Sequence, residues 1–174
     1  MSWIGRDEKG VALLLVRDDA ELLRALVEQL LALLGDPPDP GDELAALGIA
    51  TDARPPDDPV LARLLPDAYQ GDDEAAGEFR RYTEAGLRDG KRAAAQTVLD
   101  TLRPGERVVL DEGESHAWLR ALNDVRLALG TRLEITEERY EEEVDWEDPR
   151  YPLYAAYDRL TGIQDALVRA LEAG

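Results

Sequence analysis

The apolar residues of this chain fall into runs and stripes that predict most of its elements. Val11-Ala12-Leu13-Leu14-Leu15-Val16 is a short unbroken run, and Asp7-Glu8-Lys9-Gly10 before it has turn chemistry. Together they predict a β-hairpin over Ser2 to Val16. Leu22, Leu23, Leu26, Leu30, Leu33 and Leu34 then recur at helical spacing, which predicts a helix from Asp19 to Leu34. Asp18 or Asp19 can cap it, Glu21 stands in a capping-box relation to Asp18, and Gly35 ends it. Pro59 after Asp57-Asp58 opens a short helix to about Leu65. Asp72 or Asp73 caps a longer stretch, Glu74 to Leu102, with Phe79, Tyr82, Leu87, Ala94, Val98, Leu99 and Leu102 as its apolar positions. Gly86 and Gly90 weaken its middle, so it reads as one helix or as two meeting near Asp89-Gly90.

Pro104-Gly105 ends that stretch, and Arg107-Val108-Val109-Leu110 predicts a short strand. Caps within Asp111 to Ser115 start a helix striped by Trp118, Leu119, Leu122, Val125, Leu127 and Leu129 and closed by Gly130. Pro149 and Pro152 bracket the entry to a last helix, about Leu153 to Glu172. Its Leu153, Tyr154, Tyr157, Leu160, Ile163, Leu167 and Leu171 fit one buried face. The fold class is therefore mainly α (α+β). One helical domain, residues 1–174, carries a small antiparallel β element made of the N-terminal hairpin, which 107–110 can join.

Two segments interrupt this order. Residues 36–58 are a proline-rich acidic loop with seven acids against Arg54, in which Leu44 to Ile49 can make one helical turn. Residues 134–148 are the acidic extreme, with nine acids against Arg139. There is also an internal echo. Val11 to Gly35 and Arg107 to Gly130 both read strand, acidic cap, Leu-rich helix, glycine, and Leu23-Arg24-Ala25-Leu26 returns as Leu119-Arg120-Ala121-Leu122. Either the two units pair their strands in one sheet, or the match reflects how common Leu, Arg and Ala are here. The second reading is favoured.

Charge and missing residue types exclude most chemistry. The chain has no Cys, hence no thiol nucleophile, disulfide switch or thiolate metal site. With His116 as the single histidine there is no multi-His zinc centre. Ser2 and Ser115 lie outside any GxSxG elbow, and neither phosphate-cradling glycine loop is present. Paired carboxylates remain, but among 38 acids some pair always looks suggestive. Glu141-Glu142-Glu143 lacks the ligand spacing of a calcium loop. No catalytic residue, metal or cofactor is assigned. The longest apolar run is far short of the ~20 residues of a membrane span, and no secretory start is visible, which predicts a soluble cytoplasmic protein. Abundant Arg with Lys9 and Lys91 as the two lysines fits a GC-rich genome or a salt-adapted one.

Against a net charge of -18, Phe79 to Arg107 is locally positive. Arg80, Arg81, Arg88, Lys91 and Arg92 form a candidate partner-binding face, able to hold an anion or an acidic surface. The plainer reading, that these cations pair with the chain's own acids, particularly 134–148, is favoured. Asn123, Asp124 and Arg126 form a candidate structural polar cluster, with Asn123 tied internally. His116 faces solvent, and Trp118 and Trp146 are core or core-edge. Direct nucleic-acid binding is not expected, because the overall charge opposes it and the cations carry no interleaved aromatics.

Phe79-Arg80-Arg81-Tyr82-Thr83-Glu84, Leu87-Arg88, Lys91 and the string Trp118-Leu119-Arg120-Ala121-Leu122-Asn123-Asp124-Val125-Arg126-Leu127-Ala128-Leu129-Gly130-Thr131-Arg132-Leu133 resemble an actinobacterial family of unknown function. The resemblance runs over nearly the whole chain. It implies an actinobacterial cytoplasmic protein, often encoded beside the ClpS protease adaptor, with no established enzymatic activity. Some members are named oxidative-stress transcriptional regulators with a cysteine pair as the proposed switch, which this cysteine-free chain cannot use. The resemblance agrees with the GC-rich composition.

The expectation is a non-enzymatic regulatory or adaptor protein acting through protein–protein contacts, with transcription or Clp machinery as the partner. The alternatives are a transcriptional regulator touching DNA or RNA polymerase and, remotely, a metal-assisted hydrolase. A homodimer is left open.

Overall fold

A computed structural model describes residues 1–36, 41, 57–66, 71–136 and 144–174, with the side chain of residue 81 outside that set. The expected turn at Leu44 to Ile49 and the acids at 137–143 lie outside the described residues.

Strands β1 (Trp3–Asp7) and β2 (Gly10–Leu14) form the expected hairpin, with Trp3 opposite Leu14 and Asp7 opposite Gly10. Strand β3 (Arg107–Leu110) adds antiparallel to β2, with Val11 opposite Leu110. The order β1-β2-β3 makes β2 the central strand, which explains its unbroken apolar run. Gly10 is required there. Its φ is 150°, and a Cβ would stand 2.0 Å from the Leu110 carbonyl oxygen. Asp7 accepts from the Lys9 backbone N–H in the turn and pairs with Arg107 at 2.6 Å, joining the two edge strands.

Helix α1 (Arg17–Leu34) begins two residues before the expected start. Its N-cap is Val16, not Asp18 or Asp19, and no side chain caps it. Asp19 is used elsewhere. Ser2 Oγ accepts from the Val16 N–H and donates to Asp19, and Arg159 pairs with Asp19 at 3.2 Å. The first turn of α1 is thus tied to the chain start and to the last helix. Gly35 (φ 76°) ends α1 as expected.

Helix α2 (Pro59–Leu64) has Asp58 as a side-chain cap on Val60 and Pro59 in its first turn. Helix α3 (Asp73–Thr101) is continuous over 29 residues, capped by Asp72 on Ala75. Gly86 and Gly90 do not divide it. Nothing crowds either glycine, and ion pairs between side chains three or four residues apart span this part of the helix.

Helix α4 (Glu112–Arg132) opens on a complete capping box. Asp111 Oδ1 accepts from the Glu114 N–H at 2.8 Å, and Glu114 Oε2 accepts from the Asp111 N–H at 2.9 Å. It runs past Gly130, which lies against the Tyr157 ring instead of ending the helix. Helix α5 (Tyr151–Glu172) starts before the expected Leu153, which is itself exposed. Ala156, Leu160, Ile163, Leu167 and Ala170 make its buried face.

Helix α4 is the hub, packing on α1, α2, α3 and α5, while α5 also covers β1 and β2. One core joins Leu13, Val27, Leu34, Val98, Leu122 and Leu160 around the fully buried Trp118, whose Nε1–H donates to Thr101 Oγ1 at 2.8 Å. Trp146, expected at the core or its edge, is 75% exposed. The mainly α fold with one small antiparallel sheet stands as expected.

The strands of the internal echo do pair with each other. Its four-residue match, however, points different ways. Leu23 is buried and Ala25 exposed in α1, whereas Ala121 and Leu122 are both buried in α4. Common residue types account for that match better than shared packing does.

Candidate functional site

Helix α3 reverses its expected polarity over its first half. Phe79, Tyr82 and Leu87, expected inside, are exposed, and Arg80 is only 5% exposed. Arg80 Nη1 donates to the Leu65 carbonyl at 3.1 Å and approaches Glu84 Oε2 at 3.4 Å, tying the end of α2 to α3. Glu84 in turn accepts from Arg88 Nε and Nη2 at 3.2 and 3.0 Å.

Arg88 and Arg92 reach across to the end of α1. Leu34 O accepts from Arg88 Nη1 (2.9 Å) and from Arg92 Nη2 (3.1 Å). Gly35 O accepts from Arg92 Nε at 2.7 Å, and Asp36 O from Arg92 Nη2 at 3.0 Å. The last carbonyls of a helix have no partner within it, and the negative end of its dipole favours cations. Helix α1 has no basic residue in its own last turn, so α3 supplies the charge. Arg92 is further held by Asp89 at 2.6 Å.

Lys91 points to α4, where its Nζ meets Asp124 Oδ1 at 2.7 Å. Asp124 is 4% exposed. Burial raises its carboxyl above the ordinary 3.8, with the Lys91 bond and the Lys91 and Arg120 charges opposing. The arrangement is of the kind the plainer reading describes, with the cations held inside their own chain. Arg80, Arg88, Lys91 and Arg92 are bonded within the chain. Their described partners are Glu84, Asp89, Asp124 and backbone carbonyls, not the 134–148 segment. Arg81 belongs to α3, with its side chain outside the described set.

Asn123, Asp124 and Arg126 do not form one cluster. Asp124 faces α3, while Arg126 faces α5. There Arg126 donates to Thr161 Oγ1 (3.1 Å), Gln164 Oε1 (2.8 Å) and Tyr157 OH (3.5 Å), with its guanidinium 5.2 Å from the Tyr157 ring centre. Asn123 is exposed and lacks the internal bond expected of it. Asn123 and Arg126 instead line a groove of about 340 Å³ between α4 and α5, with Leu127, Ile135 and Tyr157. His116 is exposed, as expected, with Nδ1 2.8 Å from the Glu112 carbonyl oxygen. No group of three or more metal-ligating side chains gathers among the described residues. No helix among them is long and apolar enough to cross a membrane.

A family model described as domain of unknown function (DUF2017) matches residues 1–171. The chain belongs to that family. Oxidative stress regulator AosR of Mycobacterium bovis is 39% identical over 171 residues, covering 88% of this chain and 78% of that protein. The protein of the same name in Mycobacterium tuberculosis H37Rv has the same identity and coverage. A Mycobacterium leprae relative is 41% identical over 173 residues, covering 89% of this chain and 79% of its own. No solved structure matches the chain. Within the family string, Leu122 and Val125 are core, Asp124 is the buried anion, and Asn123, Arg126, Leu127, Gly130 and Thr131 line the groove.

Proposed function

We propose that this family member is a non-enzymatic regulator that works by protein contact in the stress response named for its mycobacterial relatives. The observation that carries the contact reading is the outward stripe of α3. Tyr82 is 62% exposed, Leu87 46% and Phe79 40%, with Phe79 and Tyr82 neighbours three positions apart. Gly86 and Gly90 lie on the same stripe with no atom near the position of an added Cβ, so a partner's backbone can approach closely. Neighbouring apolar side chains at a surface characterise interaction sites more than isolated ones do. The cations behind the stripe hold the helix in place and are not the surface offered to a partner. Because the chain has no cysteine, its trigger is not a thiol switch. Its charge of -18 favours contact with a component of the transcription machinery over contact with DNA.

The test is affinity capture from a native lysate, with wild type, Tyr82→Glu/Leu87→Glu and Arg88→Gln compared by mass spectrometry. Transcription components held by wild type and by Arg88→Gln, but lost from the stripe variant at an unchanged melting temperature, support the reading. Equal capture by all three, or loss only with Arg88→Gln, overturns it.

A further inference from the structure

The α4–α5 groove holds two arginines that form no ion pair among the described residues. Arg126 is half-buried on its floor, and all three of its described acceptors, Thr161, Gln164 and Tyr157, are neutral. Arg63 on α2 lines the same groove, and neither arginine lies within ion-pair distance of a carboxylate among the described residues. In a chain with 38 acids against 20 bases, two arginines lining one groove with no ion pair among the described residues are unexpected. Glu134 stands at the rim, where its charge acts on Arg150.

The rest of the groove is shaped for an organic body. Leu127 and Ile135 add apolar lining, and the Tyr157 ring lies against the side-chain-free Gly130. Its volume, about 340 Å³, lies within the range of small-molecule sites. Three neutral acceptors and the ring fix Arg126 before anything binds, so little order is lost on binding. Two of its five N–H groups remain for a ligand. Asn123, exposed and without a hydrogen bond among the described residues, adds an amide at the edge.

We propose that this groove is a binding site for a small organic carboxylate, with its anionic end on Arg126 and Arg63 and its apolar body on Leu127, Ile135 and Tyr157. A planar carboxylate matches the guanidinium fork. A single negative charge also suits a site whose rim carries Glu134. The site lies apart from the α3 stripe and does not depend on the contact reading. It would give a cysteine-free regulator a chemical input.

The test is an amide NMR titration with benzoate, and with benzamide as its uncharged counterpart. Benzoate is expected to give saturable shifts at residues 123–131 and 157, and benzamide none that saturate. Arg63→Gln removes an exposed charge with no described ion pair, so it should leave the melting temperature unchanged and weaken benzoate about tenfold, the order expected for a hydrogen bond to a charged group. Arg126→Gln should abolish saturation. If that variant loosens the α4–α5 packing, Arg63→Gln decides alone. Equal response to both probes, no saturation by benzoate, or unchanged benzoate affinity in Arg63→Gln would overturn the proposal.

Discussion

Replacing Lys91 by Met should cost far more stability than replacing Asp124 by Asn, although both break the same 2.7 Å bond. The asymmetry follows from burial. The Asp124 side chain is 5% exposed and that of Lys91 is 21% exposed. Without Lys91 the carboxylate stays inside unpaired, a loss of about 3 kcal/mol, near the lower end for a broken buried pair because the open Lys91 side admits some water. For a domain of this size that lowers the melting temperature by roughly 6–12 °C. Without the Asp124 charge, Lys91 can turn toward water, and the remaining amide still accepts from it. That loss is about 1 kcal/mol. Replacing both, as Lys91→Met/Asp124→Leu, should return the stability close to wild type.

The pH dependence has a definite sign. Burial raises the Asp124 carboxyl above 3.8 in the folded chain, so the folded state holds this proton more tightly than the unfolded state. The group's contribution is most favourable below pH 3.8 and is lost as pH rises through its folded value. Removing Lys91 raises that value further. The Lys91→Met deficit should therefore shrink as pH falls toward 3.8 and the carboxyl is neutralised. Urea unfolding of wild type and the three variants across a pH series measures this. Equal losses for the two single variants, or a Lys91→Met deficit that does not change with pH, would refute the reasoning.

Two further outcomes follow from backbone geometry. Gly10→Ala should prevent β3 from pairing, because its Cβ would overlap the Leu110 oxygen, whereas Gly35→Ala, with open space around it, should cost about 1 kcal/mol in thermal unfolding. Arg92→Met removes donors from three carbonyls at the end of α1; it should cost about 2 kcal/mol and speed amide exchange in the last turn of α1 before the rest of the helix.

Local signals carried the elements. The Gly35 stop, Asp72 cap and Asp111 cap each act within a few residues, so their spacing could be read directly. The polarity of α3 could not. Phe79, Tyr82 and Leu87 read as core because apolar side chains usually are, and Arg80 reads as surface for the opposite reason. What inverts them is an end of α2 whose Leu65 carbonyl takes a donor from fifteen positions away. Besides Glu84 and Asp89 nearby, Arg88 and Arg92 bond to carbonyls 54 to 58 positions away, backbone atoms that no side-chain pattern records. One signal was available. Helix α1 ends without a basic residue in its last turn, which leaves its negative end open to a cation from another element. The α4–α5 groove is still harder to read, since residues from α2, α4 and α5 meet there only after packing.

A regulatory output delivered through the α3 stripe is the core of the proposed function. The most direct measurement is transcript profiling of the native host under peroxide, with the gene deleted and then restored as wild type or as Tyr82→Glu/Leu87→Glu at equal protein level. Deletion should alter the peroxide response, wild type should restore it and the stripe variant should not. A response untouched by deletion, or restored equally by both proteins, would contradict the proposed function.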